Sequence, residues 1–286
     1  MEECEVGREI DLKAAGAELL PDGRRGLHLK GWKIESFNRP ILTSLAIQVW
    51  EENLGTSHLP EMVFGESSLC LLHVNSGIKI HFNAFDALKG WKQEALPPVE
   101  VPAAAKWKVR SKPFQQVILD YDYTFTTPYS GSEAIEPNEA KIISENECHL
   151  IWKDCDEQID LAVLSAKEPI LFYDEVILYE DELADNGISL LTVKVRVMPS
   201  CWFVLLRYWL RVDGVLMRLR DTRIYCKFSD DNGKPVILRE NCWREATIES
   251  LSNKGFPSNI AVYGNPDQIC QRLPIIKLKT QKLDIS

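Results

Sequence analysis

The chain has 286 residues, enough to bury a sizeable core, with 45% hydrophobic and 26% charged residues and a formal net charge of −9. That acidic balance argues against nucleic acid as the main partner and against a generally anionic membrane surface, since both require a basic footprint. No secretory signal is expected in the opening MEECEVGREIDLK, which is acidic and lacks an apolar segment.

The eight cysteines are scattered, without a CxxC pair, and read as reduced thiols of a cytoplasmic or nuclear protein. Cys148, His149 and Cys155 cluster in sequence, but their spacing fits no zinc pattern, so neither a metal nor another cofactor is expected. The longest apolar stretch, CWFVLLRYWLRV, is interrupted by Arg207 and Arg211 and falls short of the ~20 residues that span a bilayer.

In chain order, residues 1–25 are polar and are expected to form a flexible tail ahead of a single domain at 26–286. Alternation in LHLKGWKIESFN (27–38) predicts a first strand. RPILTSLAIQVWEENLG (39–55) predicts a helix with Ile41, Leu45, Val49 and Trp50 on one face. CLLHV and GIKIHF flank Asn75-Ser76-Gly77 as a hairpin. FNAFDALKGWKQEA predicts a helix with Asn83 as N-cap and Asp86 at the third helical position. LPPVEVPAAAKW (96–107) reads as a Pro-rich surface loop.

From residue 170 the pattern is a β-meander, turning first at Asp185-Asn186-Gly187, with Leu191, Val193, Val195 and Val197 on one face. Asp213-Gly214 reads as a two-residue hairpin turn. That turn would set Leu210 opposite Met217, Tyr208 opposite Leu219 and Leu206 opposite Asp221. The other face would then collect Arg207, Arg211, Arg218 and Arg220 with Trp209. Such a face is either exposed and neutralised by acids such as Glu180 to Glu182, or a recognition surface for a carboxylate or acidic peptide.

One short stretch suggests chemistry. VILDYDYTFTT (117–127) places Asp120, Asp122 and Thr124 at alternate positions after an apolar run, as a haloacid-dehalogenase-type, Mg²⁺-dependent phosphohydrolase presents its nucleophile and acid–base. Such an enzyme needs a parallel, doubly wound sheet, whereas the downstream hairpins predict antiparallel pairing. Tyr123 also stands where that signature wants a small residue. In an extended segment the two aspartates fall on one face by strand alternation alone. The chain has five histidines, no GxSxG and no Gly-rich phosphate loop. The residues therefore point away from catalysis, with the phosphohydrolase kept as the alternative.

Several blocks together resemble the TIPRL-like family of TOR-pathway regulators that bind type-2A protein phosphatases. They are LPEMVFGESSLCLLH, FNAFDAL, DYTFTTPYSG, FYDEVILYEDELADNGIS and VKVRVMPSCWFVLLRYWLRVDGVLMRLRDTRIY, within about residues 27 to 275. The resemblance implies an α+β fold with a large, curved, mixed but mostly antiparallel sheet and helices packed alongside. It implies a monomeric, non-catalytic regulator with a groove for the C-terminal tail of type-2A, type-4 and type-6 catalytic subunits. It also implies links to TOR signalling and to the alpha-four-type phosphatase chaperone. Residues carried over onto matching motifs are Asp86, Ile159, Leu219 and Asp221, beside which Arg207 and Arg220 stand as the arginine candidates. On this reading Asp221→Ala would reduce phosphatase binding and leave the thermal midpoint nearly unchanged. The family pattern does not require Asp120.

Overall fold

The computed structural model describes residues 2–56, 59–89, 99–102, 116–119, 128–136, 150–165, 167–228, 235–257 and 263–284. Asp120, Asp122, Cys148 and His149 lie outside them. The described chain is an α+β fold of two large antiparallel sheets and a small ribbon. The first sheet, in spatial order, comprises β1 (Glu18–Leu19), β2 (Arg25–Leu29), β3 (Trp32–Phe37), β5 (Ser68–His73), β6 (Ile78–Asn83) and β9 (Ser132–Ile135).

The second sheet starts with β10 (Lys153–Asp154), β16 (Ile275–Asp284), β15 (Val236–Thr247) and β14 (Leu216–Lys227). It continues with β13 (Cys201–Val212), β12 (Gly187–Val197), β11 (Phe172–Asp181) and β4 (Met62–Val63). Among the described residues β7 (Val99–Pro102) and β8 (Gln116–Leu119) pair with each other. The helices are α1 (Glu2–Ala15), α2 (Ser44–Leu54), α3 (Ala84–Lys89), α4 (Leu161–Leu164), α5 (Ile248–Asn253) and α6 (Pro266–Ile269). None is long and apolar enough to cross a membrane.

The main core lies between the two large sheets. Alternate residues of β12 and β13, among them Leu191, Val193, Trp202, Val204 and Leu206, turn inward against Leu27, Trp32, Ile34, Leu69 and Leu71. Trp32 and Trp202 meet edge to face with centroids 5.0 Å apart. A charged staple joins the sheets: Arg25 donates through Nε and Nη2 to Asp174 (2.9 and 2.8 Å), and Ser36 Oγ donates to the same carboxylate at 2.5 Å.

Several sequence expectations are corrected. Residues 1–25 are not a loose tail: they carry α1 and β1, and Leu12 and Leu20 are buried. The segment 27–38 is a hairpin, because Lys30 and Gly31 take left-handed conformations (φ 49° and 80°) and fold β3 back on β2. α2 starts only after Thr43, whose hydroxyl accepts from Ala46 N–H, and it turns Trp50 rather than Leu45 or Val49 toward the core. Leu45 is 76% exposed, while Trp50 meets Phe85 edge to face. Part of the expected Pro-rich loop is strand β7.

The largest correction concerns the hairpin of β13 and β14. Val212 pairs with Leu216 across a three-residue loop, so Arg207 lies opposite Asp221 and Tyr208 opposite Arg220. Tertiary contacts select this register. Val215 O accepts from Ile248 N–H at the end of β15, and Asp213 N–H donates to Asn186 O. A one-residue change moves one strand's side chains to the other face relative to its partner. The four arginines therefore do not share a side: Arg207 and Arg211 face outward, and Arg218 and Arg220 face the side of the first sheet. Nor are they an exposed patch, since Arg207, Arg218 and Arg220 are all buried. Asp181, expected among the neutralising acids, instead accepts the N–H groups of Leu183 and Glu61.

Candidate partner-binding face and cleft

The outer face of the second sheet carries a polar band between two apolar covers. At one end Ile159 is buried with Met198, Cys201, Tyr225 and Leu238, beneath the segment that runs into α4. At the other end Trp209, Met217 and Leu219 are buried with Leu251 of α5, Ile269 of α6, Tyr263 and Leu273. Between the covers lie Arg207, Asp221, Arg223 and Glu240, on neighbouring strands at matching register.

The band is a bonded network. Arg207 donates through Nε and Nη2 to the two oxygens of Asp221, each at 2.7 Å, in a bidentate fork. Its Nη1 donates to Asp267 at the start of α6. Arg223 lies 3.7 Å from Asp221 and donates to Glu240 at 2.7 Å. The side chain of Asp221 is 1% exposed and that of Arg207 is 6% exposed. Burial disfavours the Arg207 charge, but the Asp221 hydrogen bonds and charge outweigh it and raise the guanidinium's proton affinity. The pair exists because β13 and β14 set the two residues directly opposite each other.

The inner side of the same sheet, past the first sheet, opens as a cleft of about 110 Å³. Tyr129, Tyr208, Arg220, Trp243, Lys277 and Lys279 are among its walls. The Arg220 guanidinium stacks 4.2 Å from the Trp243 ring centroid, and Lys277 Nζ lies 4.4 Å from it. Thr222 Oγ1 donates to Asn241 Oδ1 at 2.7 Å and ties the floor strands together. The cleft thus presents Arg220 and Lys277 against one indole ring, with Lys279, paired to Asp154 at 2.9 Å, also in its wall.

Asp86, at the first turn of α3, is linked to this cleft through Ser132 and Tyr129. Asn83 caps the helix: its Oδ1 accepts from Asp86 N–H at 2.8 Å, and its Nδ2 donates to Asp86 Oδ2 at 2.8 Å, so both halves of the expected cap are present. The same carboxylate accepts from Ser132 Oγ at 2.5 Å and contacts His81 Nε2 at 3.2 Å. Burial pushes the Asp86 carboxyl up, but hydrogen bonds from Ser132 and Asn83, with His81 close by, carry it below its usual range. Ser132 also reaches the Tyr129 hydroxyl at 3.3 Å, and Tyr129 lines the Arg220 cleft. Burial pushes the Tyr129 phenol up to about 12, so it remains a neutral hydrogen-bonding group.

The six sequence candidates therefore separate into two places. Arg207, Leu219, Asp221 and Ile159 share the outer face, and Arg220 lines the inner cleft, to which Asp86 is linked through Ser132 and Tyr129. Leu219 and Ile159 are core residues (0% and 5% exposed) rather than open groove walls. Sequence reasoning missed Asp267, Trp243, Lys277 and Lys279. Asn265-Pro266-Asp267 is an N-cap followed by Pro at N1, and IIKLKTQKLD alternates, so both signals were present. Among the described residues no cluster of three or more His, Cys, Asp or Glu could hold a metal, and the described cysteines are free.

A sequence model of the TIP41-like family matches residues 62–252, which contain β4 through most of α5. The chain belongs to the TIP41-like family. Within that family it is 68% identical to a "TIP41-like protein" of Arabidopsis thaliana over 287 aligned residues, covering 99% of this chain and 98% of the relative. It is 37% identical to a "TIP41-like protein" of Homo sapiens, over 88% of this chain and 86% of the relative. A family member of Saccharomyces cerevisiae, named "Type 2A phosphatase activator TIP41", is 34% identical over 92% of this chain and 78% of its own length. The matched region includes the β13–β14 hairpin, the Arg207–Asp221 pair and Asp86, but not Lys277 or Lys279.

Proposed function

We propose that this chain is a non-catalytic regulator that binds the catalytic subunit of type-2A-family protein phosphatases. The observation that carries this reading is membership of a family whose yeast relative is named a type 2A phosphatase activator. Two structural features support it. Strand β8, which leads into Asp120, pairs antiparallel with β7 in a two-stranded ribbon, unlike the parallel sheet a dehalogenase-type nucleophile requires. The cleft, with Arg220 and Lys277 against Trp243 and Lys279 in its wall, also suits an anionic peptide terminus.

In this reading the subunit's C-terminal tail enters the cleft, Arg220 and the lysines face its carboxylates, and Asp86 fixes the Tyr129 wall through Ser132. The ion-paired outer band holds β13 and β14 flat behind it. Type-4 and type-6 catalytic subunits bind by the same tail, an alpha-four-type chaperone joins the same complex, and the activity serves TOR-linked signalling. The protein acts as a monomer in the cytoplasm and nucleus.

The test is capture of purified type-2A catalytic subunit by the full chain. Binding is expected to fall at least about tenfold on deletion of the subunit's tail, and similarly with Arg220→Gln or Asp86→Ala, while each variant stays folded by circular dichroism. Full binding by the tail-deleted subunit would remove the cleft from the interface. Absence of any capture would remove the phosphatase.

A further inference from the structure

Strand β16 offers a second interaction surface. Among the described residues its outer edge is paired by β10 only at Gln281 and Lys282, with one more bond from Cys155 N–H to Thr280 O at 3.1 Å. There the chain leaves the edge, and no described strand pairs Ile275–Lys279 on that side. Ile275, Ile276 and Leu278 are 49%, 57% and 46% exposed. Thr280 directs its carbonyl toward β10, so strand alternation directs the N–H and C=O of Leu278 the same way, to the open edge.

The side chains along this edge also alternate in chemistry. Lys277 and Lys279 point to the inner side and line the Arg220 cleft; Lys277 lies over Trp243, and Lys279 holds the exposed Asp154 of β10 at 2.9 Å, a carboxylate that an incoming acidic side chain would replace. Leu278 points to the outer side, with Cys242 opposite on β15. Lysine on an edge strand commonly guards against unwanted pairing. This edge, however, also exposes three large apolar side chains beside its lysines, surface that a partner could cover. Basic residues concentrated here, in a chain of net charge −9, favour a complementary acidic segment.

We propose that the open edge of β16 accepts an extended segment of a partner protein, in which acidic and apolar residues alternate, by strand addition. Its backbone pairs with Leu278 and its neighbours, its acidic side chains reach Lys277 and Lys279, and its apolar side chains cover Leu278 and the outer rim. The surface continues into the Arg220 cleft but uses backbone groups the cleft does not. It holds for any partner carrying such a segment and does not rest on the phosphatase assignment.

The experiment is fluorescence anisotropy of the full-length chain with a fluorescein-labelled Asp-Leu repeat of about eight residues, a typical strand length. Saturable binding is expected, with at least about tenfold weakening in the Lys277→Glu/Lys279→Glu double variant and no binding of the matching Lys-Leu repeat. N-methylation distinguishes strand addition from simple charge attraction. Methylating one alternate set of peptide nitrogens is expected to abolish binding, and methylating the other set to leave it within about threefold. Because this control changes only the peptide, it stands even if a backbone variant such as Leu278→Pro fails to fold. No saturation up to about 1 mM, equal binding of both methylated peptides, or equal binding of the Lys-Leu repeat would each overturn the proposal.

Discussion

Replacing Asp221 by alanine removes both acceptors of the Arg207 fork at a site where the two side chains are 1% and 6% exposed. Breaking a buried ion pair from one side costs about 3–5 kcal/mol, because the remaining charge stays desolvated. Arg207 keeps Asp267, but that side chain is 58% exposed and supplies a weaker, better-solvated partner. Arg223 keeps Glu240 at 2.7 Å. The loss is therefore expected near the lower end, about 3 kcal/mol. For a chain of this size that lowers the thermal midpoint by roughly 6–12 °C. Urea unfolding at neutral pH measures it directly, as a lower midpoint with an unchanged slope. The double variant Arg207→Met/Asp221→Leu, which removes both charges and keeps volume, should recover to within about 2 kcal/mol of the parent. A loss below about 1 kcal/mol in Asp221→Ala would show that the pair is solvated and refute the reasoning. The burial of Asp221 against Arg207 reverses the sequence-based expectation of a nearly unchanged midpoint. Weakened partner binding by this variant is informative only beside its stability.

Three further outcomes follow from local geometry. Gly77 has φ +73°, and a Cβ there would sit 2.2 Å from Glu136 O, so Gly77→Ala should cost at least about 1–3 kcal/mol and detach β9 from β6, seen as faster exchange of the Glu136 amide that donates to Gly77 O. Trp202→Ala removes the edge-to-face partner of Trp32 between the sheets and should cost about 3–5 kcal/mol by urea titration. Burial lifts the Asp181 carboxyl from 3.8 to about 6, so the folded chain holds that proton more tightly than the unfolded chain. Its contribution therefore favours folding below about pH 4 and is lost as pH rises through about 6, a slope that Asp181→Asn should flatten in unfolding midpoints measured across that window.

The elements themselves were legible. The β5–β6 hairpin around Asn75-Ser76-Gly77, the Asn83 cap with Asp86 at the third position, and the meander through Gly187 follow from local turn and capping chemistry, which needs only neighbours in sequence. Inward alternation at Leu191, Val193, Val195 and Val197 was equally plain, since a half-buried strand must write its face into every second residue. The N-terminal helix was missed because its polar sequence gives little apolar pattern, while Leu12 packs into a core formed by distant strands.

What the sequence by itself determined is the inventory: antiparallel strands, their turns, family membership, and the residue types able to bind a partner. Only the tertiary structure decided which of those residues meet. Asp213-Gly214 is compatible with a two-residue or a three-residue loop. The choice falls to Ile248 N–H, which holds Val215 O, and to Asn186 O, which holds Asp213 N–H; the first opens α5 and the second lies in the turn before β12. That single-residue register sends Arg207 to Asp221 on the outer face and Arg220 to Trp243 on the inner one. A strand has a period of two, so a shift of one residue reassigns a whole face, and long-range hydrogen bonds at the loop settle it.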